Sequence, residues 1–281
     1  MTWSQISTQP WMLWRRQVAA IVRLELKKSL FSKRAWWIYI LALGPVAIAG
    51  MHSLFSGNGR HTLGEDNMIF AGIFQLYFLR LGIFFGCLGI FSNLFRAEVL
   101  ERTLHYYFMS PVRREVLAVS KYLAGLIAAV TYFTGSVVLT YLLMCAHFGP
   151  VFQQYLFHGP GLSQLGWYAL TAALACVGYG SVFLLTGVLY RNPMIPAAAV
   201  FIWENLNPFL PSLLKKFSVI FYLKSLSPVG DIPADGPLAF LATMTEPTPA
   251  WLAIPGLLVV SALVLAYAAA KSRNLEVSYS D

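Results

Sequence analysis

The sequence is short of charge. Only 11% of its 281 residues are Asp, Glu, Lys or Arg, and 58% are hydrophobic. A soluble domain carries about a quarter charged residues and needs them to cover its surface. A water-exposed globule of this composition is therefore excluded, and lipid is the solvent that such a surface fits. Acidic residues are scarcer than basic ones, 12 against 20. Cysteine is nearly absent: Cys87, Cys145 and Cys176 all lie within apolar stretches. None has a neighbour at metal-ligand spacing, so neither a disulfide framework nor a zinc motif is expected.

Motifs of catalysis are missing too. No Gly-Lys pair occurs anywhere, which excludes a phosphate-cradling P-loop of the G-x-x-x-x-G-K-[ST] type. H-E-x-x-H and G-x-S-x-G are equally absent. Four histidines, His52, His61, His147 and His158, fall toward one side of the expected membrane, but their spacing follows no ligand pattern. The sequence thus predicts no metal site, no cofactor held by this chain and no catalytic residue. A cleavable signal peptide is not expected, because the first long apolar run begins near Ala35, behind a charged stretch.

What is present is a series of long apolar runs. They start at about Ala35, Met68, Tyr122, Leu165, Met194 and Trp251, and predict an all-α membrane protein with about six transmembrane helices. With the N-terminus in the cytoplasm, fifteen of the twenty Lys and Arg fall on inner segments and four on outer ones; Arg80 lies inside a span. The positive-inside rule then places both termini in the cytoplasm of a multi-pass inner (plasma) membrane protein. The net charge of +8 reads as topology, not as a nucleic-acid surface.

Three regions follow: an N-terminal segment over 1–34, a transmembrane domain over 35–271 and a short tail over 272–281. In the first, Trp14, Val18, Val22, Leu26 and Leu30 recur every four residues, with Arg16, Arg23, Lys27 and Arg34 on another face. This pattern predicts a basic amphipathic helix in the membrane interface; a helix docking on a partner is the alternative. The loop after the third span is rich in Gly and Pro, residues that mark turns and loops. In the external segment, 211–250, Leu213, Leu214, Phe217, Ile220 and Phe221 form a second stripe. It predicts an interfacial or re-entrant helix before the sixth span, after Pro208 and Pro211 end the fifth.

Charge inside the membrane is costly and marks function or a structural pair. Arg80 and Glu204 lie near the middle of the second and fifth spans, with Gln75 and Asn205 at similar depth. Two readings remain open: an ion pair that holds the bundle, or part of a translocation path. Gly82, Gly86 and Gly89 form a small stripe suited to close helix packing.

The inner loop between the second and third spans, 96–121, carries the most specific pattern. It contains Glu98, Glu101, Arg102, Thr103, Leu104, His105, Tyr107, Phe108, Pro111, Val112, Arg113 and Arg114, and closes at Lys121. This resembles the inner loop of ABC type-2 transporter permeases, the membrane subunits of six-helix exporters. In that loop an acidic residue, Gly-Thr-Leu, a hydrophobic run, Pro-Val and a basic pair precede a Lys at the third span. Thr103, Leu104, Pro111, Val112, Arg114 and Lys121 match; Arg102 stands where Gly is usual and His105 where an acid is usual.

The resemblance implies an ATPase-coupling role for Glu98, Glu101, Arg102, Thr103, Leu104, Tyr107, Phe108, Pro111 and Arg114. Its implied partners are two copies of an ABC ATPase that bind ATP and Mg, a second permease (most simply the same chain) and the surrounding lipids. It implies export or movement of a lipid, glycan, drug-like or other substrate, with no enzymatic step in this chain. A non-transporting mechanical or sensor subunit that drives an extracytoplasmic partner protein is the alternative reading. An intramembrane enzyme fits less well, because Arg80 and Glu204 supply no nucleophile with its base.

Overall fold

The computed structural model describes residues 11–31, 36–55, 62–100, 112–190, 192–228 and 248–272. These are helical apart from short joins, with no strand among the described residues. Among the described residues, five stretches are long and apolar enough to cross a membrane: Trp36–Phe55, Leu63–Leu94, Arg114–Phe148, Gly161–Leu189 and Ala250–Ser272.

The amphipathic segment forms α1 (Trp11–Phe31). It packs along the start of α5 (Arg114–Cys145). Its inward face buries Ile21 and also Glu25, while Leu13 and Leu24 remain exposed. Of the predicted stripe, Trp14, Val18, Val22 and Leu26 are half-buried, beside a face centred on Ile21 and Glu25 that docks on α5.

The helix α2 (Trp36–Phe55) contains Pro45, which lacks an N–H and cannot bond to the carbonyl four residues earlier. That carbonyl belongs to Leu41, and the Tyr77 hydroxyl donates to it at 2.9 Å. Ser136 donates to the next carbonyl, Ala42. In lipid such side-chain donors are what make an internal proline tolerable.

The second crossing begins earlier than its apolar run. Thr62 caps α3 (Leu63–Ile73) in a capping box: its hydroxyl accepts from the Glu65 N–H at 3.3 Å, and the Glu65 carboxylate accepts from the Thr62 N–H at 2.7 Å. A π-helical stretch, Phe74–Gly82, follows, and then α4 (Ile83–Leu100). The stretch carries Gln75, Tyr77 and Arg80, and π turns inside helices are often found at functional positions. Gly86 and Gly89 let neighbours in close: a Cβ at Gly86 would lie 1.9 Å from the Phe133 ring, and one at Gly89 2.1 Å from Trp37.

Where the sequence suggests a loop after the third span, the chain forms a short helix, α6 (Pro150–His158). Gly149 precedes it with φ +53°, a conformation that glycine adopts without steric cost, and Pro150 occupies the first helical position. Phe152 and Leu156 turn inward and are buried.

The centre of the bundle is α7 (Gly161–Leu189), which packs on α4, α5 and the last helix, α10 (Ala250–Ser272). Its apolar window is 67% buried, against 22% for α2 and 28% for α10, so the latter two are peripheral. Edge-to-face rings fill the core around it, Phe70 and Phe74 on Tyr168, and Phe84 on Tyr179 and Phe183.

The fifth crossing departs from expectation. In place of a helix over 194–210, α8 (Met194–Leu206) has 13 residues. At 1.5 Å per residue it spans roughly 20 Å, short of a hydrocarbon core about 30 Å thick. A 3-10 turn, Asn207–Phe209, a single helical turn, Ser212–Lys215, and α9 (Val219–Leu226) come next. The predicted outer stripe is split between them: Leu213, Leu214 and Phe217 are exposed, whereas Ile220 is buried and Phe221 half-buried. At one end α9 begins against Gly178 of α7, and at the other the Leu226 carbonyl lies 3.4 Å from the Thr171 hydroxyl. Thus α9 runs along α7 toward its N-terminal end.

Candidate functional site

Two polar sites emerge from this frame, one at the end of the bundle that carries α1 and one within it.

The first surrounds the inner loop. Glu98 lies in the last turn of α4, and Arg114 opens α5. Glu101, Arg102, Thr103, Leu104, Tyr107, Phe108 and Pro111 lie outside the described residues. What is described is the mount on which that segment is held. Lys121, in the second turn of α5, is completely buried. Its ammonium donates at 2.8 Å to the carboxylate of Glu25 on α1 and at 2.8 Å to the Leu94 carbonyl on α4. One side chain therefore ties together the helix that enters the loop, the helix that leaves it, and the N-terminal helix.

Neighbouring contacts reinforce the mount. The Arg113 guanidinium sits 4.8 Å from the centre of the Trp14 ring, a cation–π contact between the loop's exit and α1. The Ser272 hydroxyl, at the end of α10, lies 3.5 Å from the Arg114 carbonyl. Lys121 is the residue of the sequence pattern at the third span, but Glu25 is not evident as its partner from the sequence. A single acid among the bases of α1, placed on its apolar face, is the signal that could have revealed it.

The second site lies where α8 meets α9. Glu204 is buried, and its carboxylate accepts four hydrogen bonds: from the Val219 N–H at 3.0 Å, the Ile220 N–H at 2.8 Å, the Ser218 hydroxyl at 2.8 Å and the Tyr179 hydroxyl at 3.4 Å. The first two are N–H groups at the start of α9, which no carbonyl within that helix can satisfy. Glu204 thus caps α9 from outside, at the end where the helix dipole favours negative charge. Ser218 and Tyr179 complete the shell.

Arg80 is not part of that shell. No hydrogen bond or ion pair joins it to Glu204 among the described residues, so the direct intramembrane pair allowed by the sequence is not formed. It stands instead on the π stretch, half-buried, within electrostatic reach of the Tyr179 hydroxyl. Gln75 is buried on the same stretch. Asn205 turns back on its own helix and donates to the Phe201 carbonyl at 2.8 Å. Of the four polar residues singled out in the sequence, Gln75 and Arg80 share the π stretch and Glu204 and Asn205 share α8; Tyr179, whose hydroxyl donates to Glu204, has no sequence signature. At the end of the bundle away from α1, His52 and His147, unrelated in sequence, converge on Asp66.

Several long apolar helices around a buried core, interrupted by polar groups at depth, define a multi-pass membrane protein. The family model described as ABC-2 family transporter protein matches residues 21–206, well over half of the chain, and the chain belongs to that family. It is a transmembrane permease of the ABC transporter class. Membrane subunits of this family are in general non-catalytic and imply an ABC ATPase partner. The matched region contains the inner loop, its Lys121–Glu25 mount and Glu204. No curated protein matches the chain.

Proposed function

We propose that this permease is half of an ATP-driven exporter, and that segment 98–114 is the lever by which a separate ATPase moves it. The observation that carries this reading is the Lys121 clamp. A force applied between the ends of a loop is transmitted only if both ends are fixed to rigid elements, and Lys121 fixes both to α1. Arg102, Tyr107 and Phe108 supply the Arg and aromatic anchors that dominate protein interfaces, and Glu98 and Glu101 supply directional polar contacts. ATP and Mg are bound by the partner, present in two copies, and this chain holds no cofactor for the transport cycle. A second permease, most simply an identical copy, completes the path.

In this reading both termini are cytoplasmic and the inner loop faces the ATPase. The fifth crossing is made in two pieces, α8 and α9, joined through Glu204. Discontinuous helices of this kind in transporters place helix ends and polar groups at mid-membrane depth, next to a path. Arg80, Gln75 and Glu204 belong to that polar layer.

The test is copurification with an ABC ATPase coexpressed with the chain. Glu101→Ala combined with Phe108→Ala should leave the chain inserted in the membrane and abolish ATPase association, since loss of a hot-spot anchor costs about 2 kcal/mol or more. Retention of the ATPase at the wild-type level, with unchanged coupling, would show that this loop is not the lever. Association without any retained or transported solute or lipid would favour the mechanical-subunit reading.

A further inference from the structure

Three ligand-type side chains, remote from one another in sequence, meet at the end of the bundle away from α1. His52 stands in the last turn of α2, Asp66 in the first turn of α3, and His147 in the 3-10 turn, Ala146–Phe148, that follows α5. The His52 Nε2 lies 3.1 Å and the His147 Nε2 3.7 Å from the same atom, Asp66 Oδ2. One donor atom from each residue falls within 4.8 Å of the others. The two imidazole rings meet edge to face, 5.6 Å apart.

The carboxylate at the centre is poorly provided for. Asp66 is completely buried, and its second oxygen, Oδ1, has no hydrogen-bond partner among the described residues. A buried carboxylate needs hydrogen-bond donors on both oxygens or a positive charge beside it. No Lys or Arg pairs with it among the described residues; the groups that face it are the two imidazoles.

The hydrogen bonding of His147 indicates what belongs between them. Its Nδ1 lies 3.0 Å from the Met144 carbonyl, which can only accept, so Nδ1 carries the proton. In the neutral ring, Nε2 then presents a lone pair toward Asp66 Oδ2. Two lone pairs facing each other at 3.7 Å repel unless a proton or a metal cation lies between them. A ring N–H given to a backbone carbonyl, with the opposite nitrogen turned to the site, is also how metal-binding histidines are oriented.

We propose that His52, Asp66 and His147 bind one divalent transition-metal ion of the zinc type. Two imidazole nitrogens and one carboxylate oxygen suit zinc, cobalt or nickel; calcium and magnesium prefer an all-oxygen set. Three protein ligands leave a fourth position open to water or an external group. His52, 26% exposed at its side chain, provides the way in. The ion would tie the end of α5 to the ends of α2 and α3, which are neighbours along the chain but distant from α5 in sequence, and binding free energy would appear as stability of that end. This inference does not depend on the coupling role of the inner loop.

The experiment uses the full-length chain in detergent or nanodiscs, purified through a tag without histidine, stripped with chelator and re-equilibrated with Zn²⁺ alone. Metal per chain is measured by mass spectrometry, and thermal stability is measured with and without the ion. The expected result is about one Zn²⁺ per chain with a raised Tm, and Co²⁺ in its place giving the intense visible spectrum of a four-coordinate site. His52→Ala and His147→Ala should each weaken binding at least about tenfold, since even groups that only orient a metal ligand contribute that much. His158→Ala, on the exposed end of α6, should bind as the wild type does. A stripped wild-type chain that takes up no Zn²⁺ would overturn the site and leave a protonated histidine–carboxylate cluster. Uptake that is unchanged in both ligand variants would overturn it as well. The wild-type measurement stands even if a variant fails to fold.

Discussion

Lys121 shows how much one side chain decides in a lipid-surrounded bundle. A fully buried ammonium must be satisfied, and Glu25 and the Leu94 carbonyl accept from it at 2.8 Å each. Lys121→Met takes the ammonium away from the buried Glu25 carboxylate and should destabilise the chain by about 3–5 kcal/mol. The double variant Glu25→Leu with Lys121→Met should recover much of that loss, because both charges are then gone. Melting curves in detergent check both. A Lys121→Met chain as stable as the wild type would show that the clamp carries no load. At this scale the sequence names Lys121 through its place in the inner-loop pattern. It does not name Glu25, because a partner separated by 96 positions is brought near only by the docking of α1 on α5.

Elements in this protein are joined by side chains where the backbone breaks. Tyr77 restores the partner that Pro45 denies to Leu41, and Glu204 supplies acceptors for the first N–H groups of α9. The α8–α9 junction is the more consequential. Glu204→Leu removes the acceptors of two buried N–H groups, at about 1–3 kcal/mol for each orphaned donor. It should lower thermal stability and increase hydrogen exchange in α9, while α2 and α5 stay protected. Since Arg80 does not pair with Glu204, Arg80→Leu should not rescue the loss. Recovery in the Arg80→Leu, Glu204→Leu double variant would instead reveal an ion pair. The breaks themselves are partly legible: Pro208 and Pro211 end α8, and the Thr62-x-x-Glu65 capping box marks the start of α3 ahead of the apolar run. The π stretch has no comparable signal, since it depends on how Phe74–Gly82 packs against its neighbours.

For the whole molecule, the strongest statement concerns sidedness. The end of α10 approaches the start of α5 through Ser272 and Arg114, on the side where α1 is docked. If both termini are cytoplasmic, a cysteine at His158 should react with a membrane-impermeant thiol reagent from outside the cell, and one at Arg114 should not. The three native cysteines are buried, so background labelling should be low. Labelling of Arg114→Cys from outside would sink the six-crossing arrangement.

The sequence by itself determined the solvent, the class and the family resemblance. Composition, the length of apolar runs and the distribution of basic residues are local or additive quantities, and they survive being read along a line. The inner-loop pattern of Thr103, Leu104, Pro111, Val112, Arg114 and Lys121 is likewise contiguous, and the family match over 21–206 agrees with it. Only the tertiary structure decided which polar groups meet. Glu204 turned from a partner for Arg80 into the cap of α9 because a carboxylate in lipid goes to the nearest unsatisfied donors, and α9 presents two of them. His52, Asp66 and His147 came together because α2 and α5 end and α3 begins at one level, a coincidence of helix lengths and packing that no spacing rule along the chain encodes.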